Sequence, residues 1–239
     1  MNILIIGYGK MGKMTEKIAL ERNHTIAGIL DINDSWDSIC KENIDVAIDF
    51  TTPNSVMNNI KTCLDKNIPL VVGTTGWYNN IEKVRTMVKE KDGAFLFSPN
   101  FSVGVSIFRY LNKYLAKIMN SYPNYTPSIT EIHHIHKLDA PSGTAVTLAN
   151  ELLEEYSLKQ SWKLGEDVSN SDIQVTSIRQ GEEFGTHIVT YSSEEDILEI
   201  KHKALSRKGL ALGAVVAAEF LQGKKGFFTT NDLMESIIR

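Results

Sequence analysis

The first thirty-one residues, MNILIIGYGKMGKMTEKIALERNHTIAGILD, constrain the fold more than any other stretch. A continuous apolar run, Ile3 to Ile6, meets three glycines. Next comes a segment with Ile18, Ala19 and Leu20 set among charges, and then a second apolar run ending in Asp31. That order is strand, tight turn, helix, strand. A first strand without polar alternation is apolar on both faces, so it belongs inside a parallel sheet covered on both sides, with the helix as a right-handed crossover. DVAIDFTTP (Asp45 to Pro53) and IPLVVGTTG (Ile68 to Gly76) repeat the pattern of a buried strand ending in small polar residues, with helical sequence between them from Asn54 to Lys66. GAFLFSPN (Gly93 to Asn100) supplies one more strand. The alternation predicts a doubly wound parallel α/β sheet.

Gly7-Tyr8-Gly9-Lys10-Met11-Gly12 is GxGxxG, weak alone but here set between a buried strand and a helix, with Asp31 nineteen residues after Gly12 at the end of the next strand. Gly7 permits the tight turn, Gly9 lets a pyrophosphate approach the backbone and the helix N-terminus, and Gly12 allows close helix-to-strand packing. Asp31 would accept hydrogen bonds from adenosine ribose hydroxyls. These are the marks of a Rossmann-type dinucleotide site; glycines serving only a strand-helix turn are the alternative. A carboxylate at position 31 opposes a 2′-phosphate, which leans the cofactor expectation to NADH. Lys10 and Lys13 stand close enough to the loop to leave NADPH open. Gly73-Thr74-Thr75 and Ser98-Pro99-Asn100-Phe101 would lie at the carboxyl edge of the same sheet, where such folds bind ligands; plain turns are again the alternative.

After Asn100 the grammar changes. Ser106 to Met119 has helical spacing, Ser128 to His134 reads as extended, and Thr144 to Tyr156 as helix. Ile173 to Arg179, Gly185 to Ser193 and Asp196 to Ala204 read as strands joined by short turns, which predicts antiparallel pairing and a second α+β domain. GLALGAVVAAEFLQGKKG is a strongly apolar helix with a glycine stop, and it is expected to return to the first domain. The expected division is therefore 1–102 with 210–239 for dinucleotide binding, and 103–209 for the substrate. Ser102 to Gly104 and Arg207 to Gly209 are candidate hinges.

A formal charge of −4 with mixed signs along the chain supplies no basic face for nucleic acid or anionic lipid. No run approaches the roughly 18 apolar residues of a membrane span, and the start lacks a signal-peptide pattern. Cys40 and Cys63 sit in unrelated segments, as reduced thiols do. A cytoplasmic enzyme is the expectation.

EIHHIHKLDAPSGTA, Glu131 to Ala145, concentrates three histidines, a lysine, an aspartate and a Ser-Gly-Thr turn. A metal site is disfavoured, because successive strand side chains point apart and no recognised ligand spacing is present beyond nearby Glu131 and Asp139. Lys137 can hold a substrate carboxylate or donate a proton, and a histidine titrates near neutrality. Pro141-Ser142-Gly143-Thr144 opens a helix whose first amides welcome an anion. The plainer alternative makes Ser142 or Thr144 a helix cap and the histidines structural.

That segment, with GxGxxG, DFTTP, GTTG and SPNFSVGV, resembles the dihydrodipicolinate reductase family of the lysine pathway over essentially the whole chain. The resemblance implies an NAD(P)H-binding Rossmann domain joined to a substrate domain whose sheet builds a homotetramer. It implies reduction of 4-hydroxy-tetrahydrodipicolinate to tetrahydrodipicolinate in diaminopimelate and lysine biosynthesis. It makes His133 the proton donor and acceptor and Lys137 the second proton donor. His134, Ser142, Gly143 and Thr144 would bind substrate, and Gly7 to Gly12, Asp31, Gly73 to Thr75 and Ser98 to Phe101 the cofactor. Compactness around Asn33 to Asn43, and the lack of a basic residue directly after Asp31, leave the adenosine end less defined. The rivals are a dehydrogenase acting on an amino acid or keto acid, which should lack the Ser-Gly-Thr turn after Lys137, and a non-catalytic dinucleotide sensor.

Overall fold

The computed structural model describes residues 1–238. In chain order the principal elements of the N-terminal part are β1 (Asn2–Ile6), α1 (Lys10–Glu21), β2 (Thr25–Leu30), β3 (Val46–Asp49), α2 (Val56–Asp65), β4 (Leu70–Val72), α3 (Ile81–Glu90) and β5 (Ala94–Phe97). Then follow α4 (Val103–Met119), β6 (Thr126–His133), α5 (Gly143–Glu155), β7 (Ser161–Leu164), β8 (Asp172–Arg179), β9 (Thr186–Ser192) and β10 (Ile197–Lys203). The C-terminal elements are α6 (Lys208–Leu221), β11 (Gly226–Thr229) and α7 (Thr230–Ile238). Two compact units emerge, one built from Met1–Val103 and the segment from Lys208 onward, the other from Gly104–Arg207.

The first unit holds a parallel six-stranded sheet in the order β11-β5-β4-β3-β1-β2. The unbroken apolar run of β1 serves both of its faces. Ile3 and Ile5 join Val46, Ile48 and Ala214 on the side of α1 and α6, while Leu4 and Ile6 join Ala47, Ile60 and Val84 on the side of α2 and α3. Each of these isoleucine, leucine and valine side chains, fully withdrawn from water, contributes roughly 1.5–3 kcal/mol before entropy is charged against it. α6 packs against α1 and against β3, β4 and β5. Gly213 makes that approach possible, since a Cβ there would stand 1.6 Å from the Phe101 carbonyl oxygen. β11, which the sequence reading had only as a glycine stop, extends the sheet beside β5.

The second unit has a five-stranded sheet, β10-β9-β6-β8-β7, with α4 and α5 on one face. Here the expected pairing needs correction. β9 and β10 are antiparallel neighbours, but β8 does not pair with β9, because β6 lies between them, parallel to β8 and antiparallel to β9. A six-residue connection is long enough to span the roughly 10 Å across one intervening strand. Gln180 to Gly185 therefore arch over the end of β6 and bond to it. Gln180 N–H donates to the His133 carbonyl (2.8 Å), and the His134 and Ile135 amides donate to the carbonyls of Glu183 (2.8 Å) and Gly181 (3.1 Å). Short β7, largely exposed and at the sheet edge, lacked a periodic signal. No helix among the described residues is long and apolar enough to cross a membrane.

Candidate active site

In the first unit the residues singled out from sequence gather at one edge of the sheet. Gly7 follows β1, Asp31 follows β2, Gly73 to Thr75 follow β4 and Ser98 to Phe101 follow β5, so parallel strands deliver all of them to the carboxyl edge. Strand order reverses about β1, with β2 on one side and β3 on the other, which opens the crevice such sheets use for ligands. Gly7 has φ +86°, and a Cβ on it would meet the Phe50 carbonyl oxygen at 2.4 Å. A Cβ on Gly12 would lie 2.1 Å from the Gly7 oxygen, whereas the space at Gly9 is open. α1 starts without a side-chain cap and without an acidic residue in its first turn, so its leading amides and positive dipole end suit a diphosphate. The residues present fit a dinucleotide.

Asp31 Oδ1 accepts the Tyr8 amide (3.1 Å), tying the second strand's end to the loop, while the Asp31 amide donates to Asp34 Oδ2 (2.8 Å). Thr74 is buried, and its hydroxyl donates to Asp49 Oδ1 (2.6 Å) and accepts from the Thr51 amide (2.7 Å). Asp49 also accepts from the Thr51 amide and hydroxyl and from Asn59 Nδ2 (2.8 Å). Burial pushes the Asp49 carboxyl up, against the hydrogen bonds from Thr74, Asn59 and Thr51 that favour its ionised form. It is the internal brace of both threonine loops, and the sequence reading did not select it. The Ser98 hydroxyl turns inward to the Asn100 carbonyl (2.8 Å) and Thr230 (3.1 Å), and Phe101 packs in the core. Both of these side chains are therefore turned into the protein.

In the second unit the chemistry converges on the end of β6. Alternation along this strand puts Ile129, Glu131 and His133 on its buried face. Glu131 is wholly buried, and its two oxygens divide their tasks. Oε1 accepts from the Ser142 amide (3.0 Å), Ser177 Oγ (2.7 Å) and Arg179 Nη2 (3.2 Å). Oε2 lies 3.2 Å from His133 Nδ1 and 3.9 Å from His187 Nε2. Burial would raise this carboxyl, but the neighbouring His133 and hydrogen bonds from Ser142 and Ser177 outweigh it and hold Glu131 well below the usual carboxylate range. Burial, followed by the neighbouring His133, pushes His187 down to about 4. It is therefore neutral at physiological pH, with Nε2 3.2 Å from the Ser142 hydroxyl.

Lys137 lies on the loop between β6 and α5 and donates to both oxygens of Asp139 (2.7 and 2.9 Å), which holds the Asp139 carboxyl low. Arg179 anchors that loop, donating to the carbonyls of Lys137 (3.3 Å) and Asp139 (2.6 Å) as well as to Glu131. Ser142 caps α5, its hydroxyl accepting the Ala145 amide at 3.2 Å. The capping role weighed from sequence is thus present, and the Ser142 amide and hydroxyl are both engaged within the protein. Gly143 is exposed, with open space where a side chain would stand, and Thr144 follows it in the first turn of α5. His134 begins the turn beyond β6, with its ring centroid 6.1 Å from that of His136.

Ligand atoms of Glu131, His133 and His187 all lie within 4.8 Å of one another. Oε1 is filled by three donors and His187 Nε2 meets a hydroxyl, while Oε2 and His133 Nδ1 stand 3.2 Å apart with no other hydrogen-bond partner, an arrangement that suits a proton held between carboxylate and imidazole. Sequence reasoning noticed Glu131 only as a possible metal neighbour and passed over Ser177, Arg179, Gly185 and His187. The available signal was the polar residue two places before His133 on the same strand face, in a strand otherwise packed with apolar groups.

Comparison with known proteins matches residues 1–101 to the family described as dihydrodipicolinate reductase, N-terminus, and residues 104–234 to dihydrodipicolinate reductase, C-terminus. The chain is 45% identical over 239 residues to 4-hydroxy-tetrahydrodipicolinate reductase of Christiangramia forsetii, covering 100% of both chains. It is 34% identical to the protein of the same name from Archaeoglobus fulgidus, covering 95% of this chain and 96% of that one. In fold it is similar to a dipicolinate-bound dihydrodipicolinate reductase from Paenisporosarcina sp. TG-14, with a TM-score of 0.77 at 23% identity, over 96% of this chain and 97% of that chain. With both halves matched and nearly half the residues shared with a full-length relative, the chain belongs to the dihydrodipicolinate reductase family of pyridine-nucleotide-dependent oxidoreductases.

Proposed function

We propose that the protein reduces 4-hydroxy-tetrahydrodipicolinate to tetrahydrodipicolinate with NADH or NADPH, serving diaminopimelate and lysine biosynthesis in the cytoplasm. The observation that carries this reading is the loop from His133 to Thr144, anchored by Arg179, which sets an imidazole, an ammonium and an exposed helix N-terminus at one end of the second unit's sheet. A cyclic dicarboxylate matches that set of donors. His134 and the first turn of α5 at Gly143 and Thr144 bind the carboxylates, with Ser142 shaping the turn. Lys137 exchanges its Asp139 partner for substrate.

When bound, the reduced nicotinamide supplies hydride. Gly7, Tyr8, Gly9, Lys10, Met11 and Gly12 hold the pyrophosphate through backbone amides, and Gly73 to Thr75 and Ser98 to Phe101 line the rest of the cofactor's path. Lys137 and His133 supply protons where the substrate's ring nitrogen gains electron density. Asp31 binds the ribose hydroxyls and, with Asp34 beside it, sets two carboxylates where a 2′-phosphate would fall. This favours NADH modestly, while Lys10 and Lys13 let NADPH be tolerated. The face of the second sheet away from α4 and α5, with Ser128, Thr130 and Ile132 partly exposed, is assigned to a homotetramer.

The test is dinucleotide oxidation by purified protein, supplied with freshly generated product of dihydrodipicolinate synthase, with NADH and NADPH in parallel. Oxidation that depends on that product, and is more efficient with NADH, is expected. Binding of both dinucleotides without turnover would move the reading to another substrate or to a sensor.

A further inference from the structure

We infer that Glu131 is a positioning residue for the reaction: it fixes the His133 imidazole with its proton on Nδ1 and leaves Nε2 as the nitrogen that exchanges protons with substrate. The inference rests on the functional reading above for its catalytic half and on geometry alone for its structural half. Glu131 Oε2 stands 3.2 Å from His133 Nδ1, while Oε1 is occupied by the Ser142 amide, Ser177 and Arg179. Three donors from two separate chain segments, β8 and the N-terminus of α5, therefore orient the carboxylate so that its remaining oxygen lies beside the ring. The two atoms are not aligned as a hydrogen bond, but both are buried and neither has any other hydrogen-bond partner within the protein; an ionised carboxylate only accepts, so of the two ring nitrogens the one beside it is favoured to carry the hydrogen.

The opposite edge of the ring is kept clear. Gly185, at φ +141°, lies next to His133 Nε2, and a Cβ there would come within 3.0 Å of that atom. Any side chain at position 185 would crowd the nitrogen that has to meet substrate. The loop carrying Gly185 is the one that arches over the end of β6, so the topology that was not foreseen from sequence also keeps Nε2 open.

The charged and titratable groups around the ring divide by element. β6 contributes Glu131; β9 contributes His187, its ring centroid 5.1 Å from that of His133; β8 contributes Arg179 through Glu131; β10 contributes His202, opposite His187; and the following loop contributes Lys137. Among these Glu131 is the group whose charge opposes an imidazolium most closely, and it remains ionised throughout. Proton transfer then balances simply. The imidazolium carries hydrogen on both nitrogens and gives up the one on Nε2, the hydrogen on Nδ1 stays against Glu131, and Nε2 recovers its proton from water. Glu131 neither gains nor loses a proton.

The first test is the ¹⁵N–¹H long-range correlation spectrum of the histidine rings in the wild-type protein at a pH where they are neutral, with His133 assigned from a His133→Asn control. An Nδ1–H tautomer at His133 is expected, and an Nε2–H tautomer overturns the inference whether or not the protein turns over the proposed substrate. The second is Glu131→Gln. Its amide oxygen can keep the three donors, but its NH₂ then points at His133 Nδ1 and inverts the tautomer, as happens when the carboxylate of a catalytic triad becomes an amide. We expect kcat to fall by about 10²-fold or more, dinucleotide affinity to be unchanged, and the limb of the kcat/KM profile governed by His133 to move to lower pH. A variant with the wild-type tautomer and an unmoved profile overturns the inference. Failure of the wild-type protein to act on the substrate sinks the functional reading alone, because the tautomer is read independently of turnover.

Discussion

The glycine edge of the first unit and the buried carboxylate of the second are both built around the end of an interior strand, β1 in one and β6 in the other, yet they are made by opposite means. At the glycine edge the surface is made of backbone: the absence of side chains at Gly7, Gly9 and Gly12 shapes the turn, and the hydrogen bonds that hold it come mainly from neighbouring strand ends. Around Glu131 the construction is made of side chains, and one wholly buried group collects neighbours from β8, from the N-terminus of α5 and from its own strand. A backbone site tolerates change wherever space is open and fails where a Cβ strikes a carbonyl. A buried ionic centre fails when any partner leaves it unpaired.

The sharpest separation of the two regions should come from Lys137→Ala. Loss of a proton donor in the second unit is expected to cut kcat by about 10²–10⁴-fold while NADH affinity, measured by fluorescence titration, stays near wild type; a matching collapse of NADH binding would erase the distinction. Gly12→Ala is the converse change. Its Cβ would sit 2.1 Å from the Gly7 oxygen, so the helix must shift, at a cost of about 1–3 kcal/mol or more. NADH binding should weaken at least tenfold while the His133 tautomer is unaltered.

Acid should act on the side-chain centre first. His187 is held near 4 in the folded state against 6.5 in the unfolded chain. As pH falls below 6.5 the unfolded chain takes up a proton that the folded one refuses, and stability drops progressively down to about pH 4, by on the order of 2–3 kcal/mol. Glu131, whose folded value is lowered, adds a loss of the same sign below about 4.5. Urea midpoints at pH 7.5 and 5 should therefore differ, and His187→Gln should narrow the difference; equal narrowing in an Asn control at exposed His136 would locate the effect elsewhere. The smallest effect is expected from Asp31→Ala, which should weaken NADH a few-fold more than NADPH. Unchanged discrimination would remove Asp31 from the ribose site.

Legibility followed the same division. β1, the glycine turn, α1 and β2 could be read directly, because apolar runs, glycines and helical spacing are properties of adjacent residues. In the second unit β8, β9 and β10 were located correctly, but β8 was expected beside β9. A turn's length limits how far apart two strands lie without saying what lies between them, and β6 enters from forty residues earlier in the chain. Ser142 could be named as a cap or as a binding group from sequence. Its double engagement, amide to Glu131 and hydroxyl to His187 and Ala145, required both strands to be in place.

Local pattern thus settled the class of the first unit, the position of its glycine loop and the segment from Glu131 to Thr144 as the place to look for chemistry. Strand order in the second unit, the use of Asp49 and Glu131 as braces, and the choice of which face of His133 stays open were settled by folding. The physical reason is that a buried carboxylate has no preferred partners of its own. It takes whatever donors the packed strands bring within about 3 Å, and those donors are far apart along the chain until the sheet has formed.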